Sequence, residues 1–300
     1  CKKFNKAELP KCQSEILNIS KPLDNDVGTA LGMYFKYNNT EVVIMPGVPI
    51  EMNSMLEVYL NKIKSMEIIS NKIITINTIG IYETKLSNIM QSFMKKYDRN
   101  VYFSFLPSYE GVKVRLTDLN TGFDINIIKD ELLDNISKYA YSLNNVTLEM
   151  VVSNMIINKK LTLSICESCT GGYISKKITD IPDSSKFFLG SVVAYNNSIK
   201  ENILDIPLEN INSYGAVSSQ ISELMALNIS KKFNSDISIS CTGISGPGGG
   251  TKEKPVGTVY ISVKYLEEII TKKFIFKVDR LPHRLMTKQA ALCMLWTLIK

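Results

Sequence analysis

Ser168 stands in the segment Glu167-Ser168-Cys169-Thr170-Gly171-Gly172, between an apolar run and a helical pattern. A serine on a strand-to-helix loop can attack a carbonyl carbon, and backbone N–H groups of the next turn can hold the oxyanion that develops. Gly171 and Gly172 would let a ligand come close to that turn. Ser168 and Thr170 are also the residue types that cap helices, so capping alone would account for them. A serine nucleophile needs a base, and the chain has a single histidine, His283, far away in the terminal segment. A Ser-His-Asp triad is therefore a poor reading. A lysine of lowered pKa can take the proton instead, and Lys200 follows Tyr195 by five residues just beyond a strand end, so that one loop and helix start can present both groups. A surface lysine and a core-edge tyrosine would leave the same pattern.

Three further groups invite chemistry. The loop Thr242-Gly243-Ile244-Ser245-Gly246-Pro247-Gly248-Gly249-Gly250-Thr251 exposes backbone amides suited to an anion or a flat ring. It matches neither the Walker pattern nor the dinucleotide fingerprint, and a plain hairpin loop is its alternative. Cys166 and Cys169 form a C-x-x-C that could recruit Cys241 and His283 as zinc ligands. No second C-x-x-C completes such a site, and Cys166 and Cys241 belong to apolar strands, so no metal is expected. A redox C-x-x-C lacks thioredoxin-like surroundings, which leaves Cys169 as a rival to Ser168 for the role of nucleophile. Arg284, with Arg280 before it, could clamp a phosphate or sit solvated at a helix start.

The elements that must position these groups can be read from periodicity. Strand Leu161 to Cys166 precedes the serine loop, and a helix runs from it through Lys177. Strand Ser191 to Tyr195, a helix over Ser198 to Leu204, and a longer helix capped by Ser218 or Ser219 and ending at Phe233 follow. Strand Asp236 to Cys241 leads into the glycine-rich loop; strands Thr258 to Lys264 and Thr271 to Phe276 precede a terminal helix. These make an α/β sandwich over residues 146–300. Upstream, strand Ile73 to Ile79, helix Glu83 to Tyr97, strands Val101 to Phe105 and Gly111 to Leu116, and helix Ile128 to Tyr141 make a small α+β module from Lys72 to about Leu143, with Asn144-Asn145 as linker. Residues 1–68 offer a strand, Glu41 to Met45, a tight turn and a helix opening near Glu51, and read as the tail of a partial α/β domain.

Composition narrows the function classes. Apolar residues make up 45% and charged residues 21% of the chain, ordinary values that argue against disorder and coiled coil. The net charge of +6 is spread thinly, a weak argument for nucleic acid. The middle module has a KH-like order of elements but no Gly-x-x-Gly loop to grip RNA. No apolar stretch approaches the roughly 20 residues of a membrane span. The start, Cys1-Lys2-Lys3-Phe4-Asn5-Lys6, lacks a secretory apolar run and an initiator Met, so an upstream piece is expected. Six sparsely spaced cysteines fit reduced thiols in a cytoplasm.

Taken together, the serine loop, Val193-Ala194-Tyr195-Asn196-Asn197-Ser198-Ile199-Lys200, Tyr214-Gly215-Ala216-Val217-Ser218 and the stretch Thr242 to Gly257 resemble the CinA family (competence/damage-inducible protein), specifically its C-terminal nicotinamide-nucleotide amidohydrolase domain. Val27-Gly28-Thr29-Ala30 and Pro46-Gly47-Val48-Pro49-Ile50-Glu51-Met52 are similar to the end of that family's molybdopterin-binding-like domain, and residues 69–142 to its KH-like connector. The resemblance implies hydrolysis of NMN to nicotinate mononucleotide and ammonia in pyridine-nucleotide salvage, with no cofactor. It implies Ser168 as nucleophile and Lys200 with Tyr195 as proton carriers, the choice of base staying open. Thr170, Gly171, Gly172, Thr242, Gly243, Gly246, Gly248 and Arg284 would border substrate. A cytoplasmic homodimer acting on a small molecule, without nucleic acid or membrane, is implied as well.

The sequence departs from the family at Cys166, where relatives carry Ala, at Leu31 in place of a proline, and at Leu281-Pro282-His283, where relatives are more acidic. The front of the N-terminal domain, with its glycine- and acid-rich segment, has no counterpart, so ADP-ribose pyrophosphatase activity is expected to be missing. A non-catalytic nucleotide- or pterin-binding module is the alternative from another class. An RNA-binding adaptor built on the KH-like part is a third, which tight salt-dependent binding would reveal.

Overall fold

The computed structural model describes residues 15–63 and 71–300, so the opening Cys1 to Lys6 segment lies outside the described residues. The chain divides into two compact units at the Ser70/Asn71 junction. In the first, β1 (Lys21–Leu23), β2 (Gly32–Tyr37) and β3 (Thr40–Ile44) form an antiparallel sheet in that order, followed by α1 (Pro49–Ile63). Leu23, Met55 and Tyr59 make its core. β1 and β2 escaped the sequence reading because turn residues flank them closely. Glu51 in the first turn of α1 accepts from Asn25 Nδ2 at 2.6 Å.

The second unit opens with a connector: β4 (Ile73–Thr78), α2 (Glu83–Lys96), β5 (Val101–Ser108), β6 (Gly111–Asp118), α3 (Ile125–Asn135) and β7 (Ala140–Leu143). Its sheet order is β5-β6-β4-β7, antiparallel throughout. β6 alternates, burying Val112, Val114 and Leu116 while Lys113 and Arg115 face out. Leu86, Met90 and Phe93 of α2 lie on one face at helical spacing and cover that side. The helix expected over Ile128 to Tyr141 is corrected. Asp124 caps α3 through Asn126 N, the helix stops at Ile136, and the chain turns back so that Ala140–Leu143 adds an edge strand to β4. The expected linker Asn144 is tied down, its N donating to Thr75 O at 2.6 Å and its Oδ1 accepting from Thr75 N at 3.1 Å.

The rest of the unit is a three-layer α/β sandwich. Its elements are α4 (Leu148–Asn158), β8 (Leu163–Glu167), α5 (Tyr173–Thr179), β9 (Phe188–Val193), α6 (Asn197–Asn202), α7 (Leu208–Tyr214), α8 (Ser219–Phe233), β10 (Ile237–Gly243), β11 (Thr258–Tyr265), β12 (Glu268–Ile275) and α9 (Arg280–Ile299). The sheet order is β12-β11-β10-β8-β9, with β8, β9 and β10 parallel and β11 and β12 antiparallel. Alternation along the strands splits the core. Leu163, Ile165, Ile237 and Ile239 pack with residues of α4, α5 and α9 on one side. Cys166 packs with Ala194, Ile221 and Met225 on the other, where α8 lies. The short helix α7 was missed between strand and helix signals. Because β8, β9 and β10 are parallel, the loops that follow them open at one edge of the sheet, the place where α/β folds bind ligands.

Candidate active site

β8 delivers the serine loop, and its last residue governs it. Glu167 is fully buried, and its carboxylate accepts from Ile174 N at 3.1 Å, Ser175 N at 2.8 Å and Ser175 Oγ at 2.6 Å. The first amides of α5 are thus closed by an internal acid, which corrects the expectation that the helix turn itself would hold an oxyanion. Within the loop, Ser168 N donates to Cys241 O, Gly171 N to Ser168 O and Tyr173 N to Thr170 O, at 3.0–3.2 Å. The amides of Cys169, Thr170 and Gly172 make no hydrogen bond among the described residues. Gly171 and Gly172 sit at φ +57° and +89°, two consecutive left-handed positions that side chains would strain. Gly172, not Ser168 or Thr170, takes the N-cap position of α5. Ser168 is 8% exposed, and its Oγ makes no hydrogen bond among the described residues. Capping therefore does not account for it.

β9 places Lys200 and Tyr195 differently. Ala194 N donates to Glu167 O at 2.7 Å, locking the end of β9 to β8. Asn196 caps α6 through Ser198 N, and the helix turns Lys200 inward until it is 1% exposed. Its Nζ donates to Ala194 O at 2.8 Å, its one hydrogen bond among the described residues. Burial holds the Lys200 ammonium below the ordinary lysine range, although the Cys166, Cys169 and Cys241 thiols act in the opposite sense. Tyr195 is 59% exposed and accepts from Arg280 Nη2 at 2.5 Å, while Arg280 Nη1 donates to Gly246 O at 3.0 Å.

The glycine-rich loop is a built structure. Gly257 N donates to Ile244 O at 2.7 Å and Ile244 N to Thr258 O at 2.8 Å, closing its base. His283 spans that base, with Nδ1 3.0 Å from Ser245 Oγ and Nε2 3.2 Å from Gly257 O. Thr242 Oγ1 donates to Ala216 O at 2.7 Å and pins the turn before α8. A side chain at Gly243 would meet Thr258 O at 2.7 Å, and one at Gly246 would meet Val256 at 2.6 Å, so both glycines serve close packing. Gly248 faces open space. Arg284 Nε donates to Thr170 O at 2.7 Å, and its guanidinium lies over the Tyr173 ring at 5.6 Å.

The model of the CinA C-terminal domain matches residues 145–299. The chain belongs to the CinA family. A CinA-like protein of Cytophaga hutchinsonii is 37% identical over 275 residues, covering 88% of this chain and 65% of that protein. One from Thermosipho melanesiensis is 37% identical over 282 residues, covering 91% and 68%. The crystal structure of competence/damage inducible protein CihA from Agrobacterium tumefaciens covers 51% of this chain and 94% of its own, with 33% identity and a TM-score of 0.50. The chain spans about two thirds of the length of the CinA relatives it matches. Among the described residues no helix is long and apolar enough to cross a membrane.

Within this CinA domain, the sandwich brings Ser168, Lys200, Tyr195, Arg284 and the glycine loop to one edge of the sheet, but it spends some of the expected groups internally. The hydroxyls of Thr170 and Thr242 are buried, Thr170 Oγ1 lying 3.0 Å from Cys241 Sγ, so Thr170 can offer a ligand only its amide. Sequence reasoning passed over Glu167 and the Ser245–His283 pair, both of which depend on partners brought in by the fold; Arg280, named there beside Arg284 as a phosphate clamp, instead holds Tyr195 and Gly246 O. The zinc set does not form: Cys166 lies in the opposite core from Cys169 and Cys241. A cavity of about 740 Å³ between the connector and the β12/α9 face, lined by Gly80, Tyr109, Phe274, Phe276 and Met294, contains none of these site residues.

Proposed function

We propose that this chain is a nicotinamide-nucleotide amidohydrolase that converts NMN to nicotinate mononucleotide and ammonia. Ser168 Oγ attacks the carboxamide carbon and Lys200 takes its proton. The loop amides left without acceptors hold the oxyanion. The carbon–nitrogen bond then breaks, the proton passes to the leaving nitrogen, ammonia departs, and water hydrolyses the ester on Ser168. The observation that carries this reading is Lys200: a buried amine with one carbonyl partner among the described residues and a pKa held down by burial is more readily the free base than an ordinary lysine, as taking the Ser168 proton requires. Exposed Tyr195 and Arg280 then border the substrate at the mouth, with Arg284 behind the loop. Cys169 is the rival nucleophile, since its thiol sits below the ordinary range.

The test is ammonia release from NMN by the purified chain, with nicotinamide as a comparator that lacks the phosphoribosyl group. NMN is expected to be turned over and nicotinamide spared. Ser168→Ala is expected to abolish release while the protein stays folded, and Cys169→Ala, which keeps the main-chain amide, to retain it. NMN that binds without releasing ammonia would replace this reading with a binding module.

A further inference from the structure

His283, the one histidine of the chain, has no part in the acyl chemistry above, yet it is fully buried. An imidazole taken out of water needs partners, and its two nitrogens have them. Nε2 lies 3.2 Å from Gly257 O, and Nδ1 lies 3.0 Å from Ser245 Oγ. A carbonyl oxygen only accepts, so Nε2 carries the proton and Nδ1 accepts from the Ser245 hydroxyl. That is the neutral ring, the form that burial favours. Its plane meets Phe276 edge-on, with ring centroids 6.0 Å apart. Ser245 and Gly257 stand at the two ends of the glycine-rich loop, so one side chain grips both.

His283 does not act alone. Arg280, His283 and Arg284 follow at i, i+3 and i+4 at the start of α9, which puts them on one helix face. Pro282 lies among them where backbone amides have no intrahelical acceptor, so it does not break the helix. Arg280 holds Tyr195 OH at 2.5 Å and Gly246 O at 3.0 Å, while Arg284 Nε donates to Thr170 O at 2.7 Å. Arg284 Nη2 also lies 3.5 Å from the point where a side chain on Gly171 would begin. One end of one helix therefore touches the loops that follow β8, β9 and β10. We propose that His283 is a positioning residue: it fastens the glycine-rich loop to the helix end that also holds the serine loop and Tyr195, and so sets where substrate lies relative to Ser168. The effect on turnover rests on the amidohydrolase reading, while the anchoring of the loop does not.

The loop does not need His283 in order to form. Its base is closed by Gly257 N to Ile244 O at 2.7 Å and Ile244 N to Thr258 O at 2.8 Å, and Gly257 O accepts a second bond from Phe276 N at 2.9 Å. Removing the ring leaves that carbonyl paired and the base closed, but frees the loop from α9 on the side of Ser245. Loss of the anchor should thus weaken substrate placement more than folding.

The experiment compares the full chain with His283→Leu, His283→Gln, Ser245→Ala and the double variant Ser245→Ala/His283→Leu. Ammonia release from NMN gives kcat and KM, and amide hydrogen exchange reads residues 243–257. His283→Leu is expected to raise KM about tenfold, the scale of one lost hydrogen bond, with a smaller change in kcat. His283→Gln, which keeps a donor for Gly257 O, is expected to recover part of that loss. Ser245→Ala is expected to raise KM as well, and the double variant to do little more than His283→Leu, because both remove one contact. Exchange in 243–257 should quicken in His283→Leu while β8 and β10 stay protected. Parent KM and parent exchange in both His283→Leu and Ser245→Ala would overturn the proposal. So would effects that multiply in the double variant, or equal losses in all variants that follow thermal unfolding with no recovery in His283→Gln. If the parent chain releases no ammonia, the amidohydrolase reading fails and the exchange map still decides the anchor.

Discussion

The connector and the C-terminal sandwich each lay helices on a sheet, but they bury different chemistry. The connector seals apolar side chains such as Ile76, Leu86, Val114, Leu116 and Ile128, and its buried polar residues among those described are Asn77 and Thr78. The sandwich seals Glu167, Lys200, Thr242, His283 and Lys288. Removing such groups from water is costly unless partners replace it, and most have partners. Glu167 has three donors, and Lys288 has Glu149 at 2.6 Å and Glu110 at 3.1 Å. Ser153 Oγ and Thr258 Oγ1 have no partner among the described residues, and at the sheet edge Ser168 Oγ has none and Lys200 Nζ has one. The connector buries few polar side chains and the sandwich many, and the under-satisfied pair at the sheet edge is what makes that edge the candidate site.

Substitutions can break that contrast. Lys200→Met should reduce ammonia release by about 10²–10⁴-fold while thermal unfolding shows stability held or raised, since an apolar chain replaces a buried amine. A matched loss of stability and rate would make Lys200 a packing residue. Leu116→Ala, in the connector, should cost about 2–5 kcal/mol in urea unfolding and leave kcat/KM of the folded protein unchanged. Glu167→Gln should cost about 1–3 kcal/mol by weakening the charge-assisted bonds to Ser175 and should lower kcat more than it raises KM, because the loop amides lose their anchor. The smallest effect is on pH dependence. Burial holds His283 below its ordinary 6.5, so the unfolded chain gains a proton that the folded one refuses as pH falls through 6.5. Stability should therefore decline below that pH, down to the folded pKa. His283→Gln should flatten the decline, and an unchanged slope would place its origin elsewhere.

How much of this was legible in sequence differs between the same two regions. Ser168, the glycines, Tyr195 and Lys200 could be picked out as candidates because their types and spacing follow from a strand that ends in a loop. The strand at Ala140–Leu143 was hidden because four half-buried residues continue a helical pattern, and only pairing with β4 decides them. Glu167 looked like one more residue of an apolar run, since the amides it caps come seven and eight residues later. The Thr170–Cys241 contact depends on β10 lying beside β8, a neighbour relation that local pattern does not contain. Local chemistry was readable, and long-range pairing was not.

The most direct measurement is acid quench of the chain during its first turnover of NMN, followed by peptide mapping for a covalent acyl adduct. The expected result is the nicotinate mononucleotide acyl group on the peptide carrying Ser168, attached at Ser168 and absent from Ser168→Ala. An adduct on Cys169, or ammonia released by Ser168→Ala at the parent rate, would contradict it.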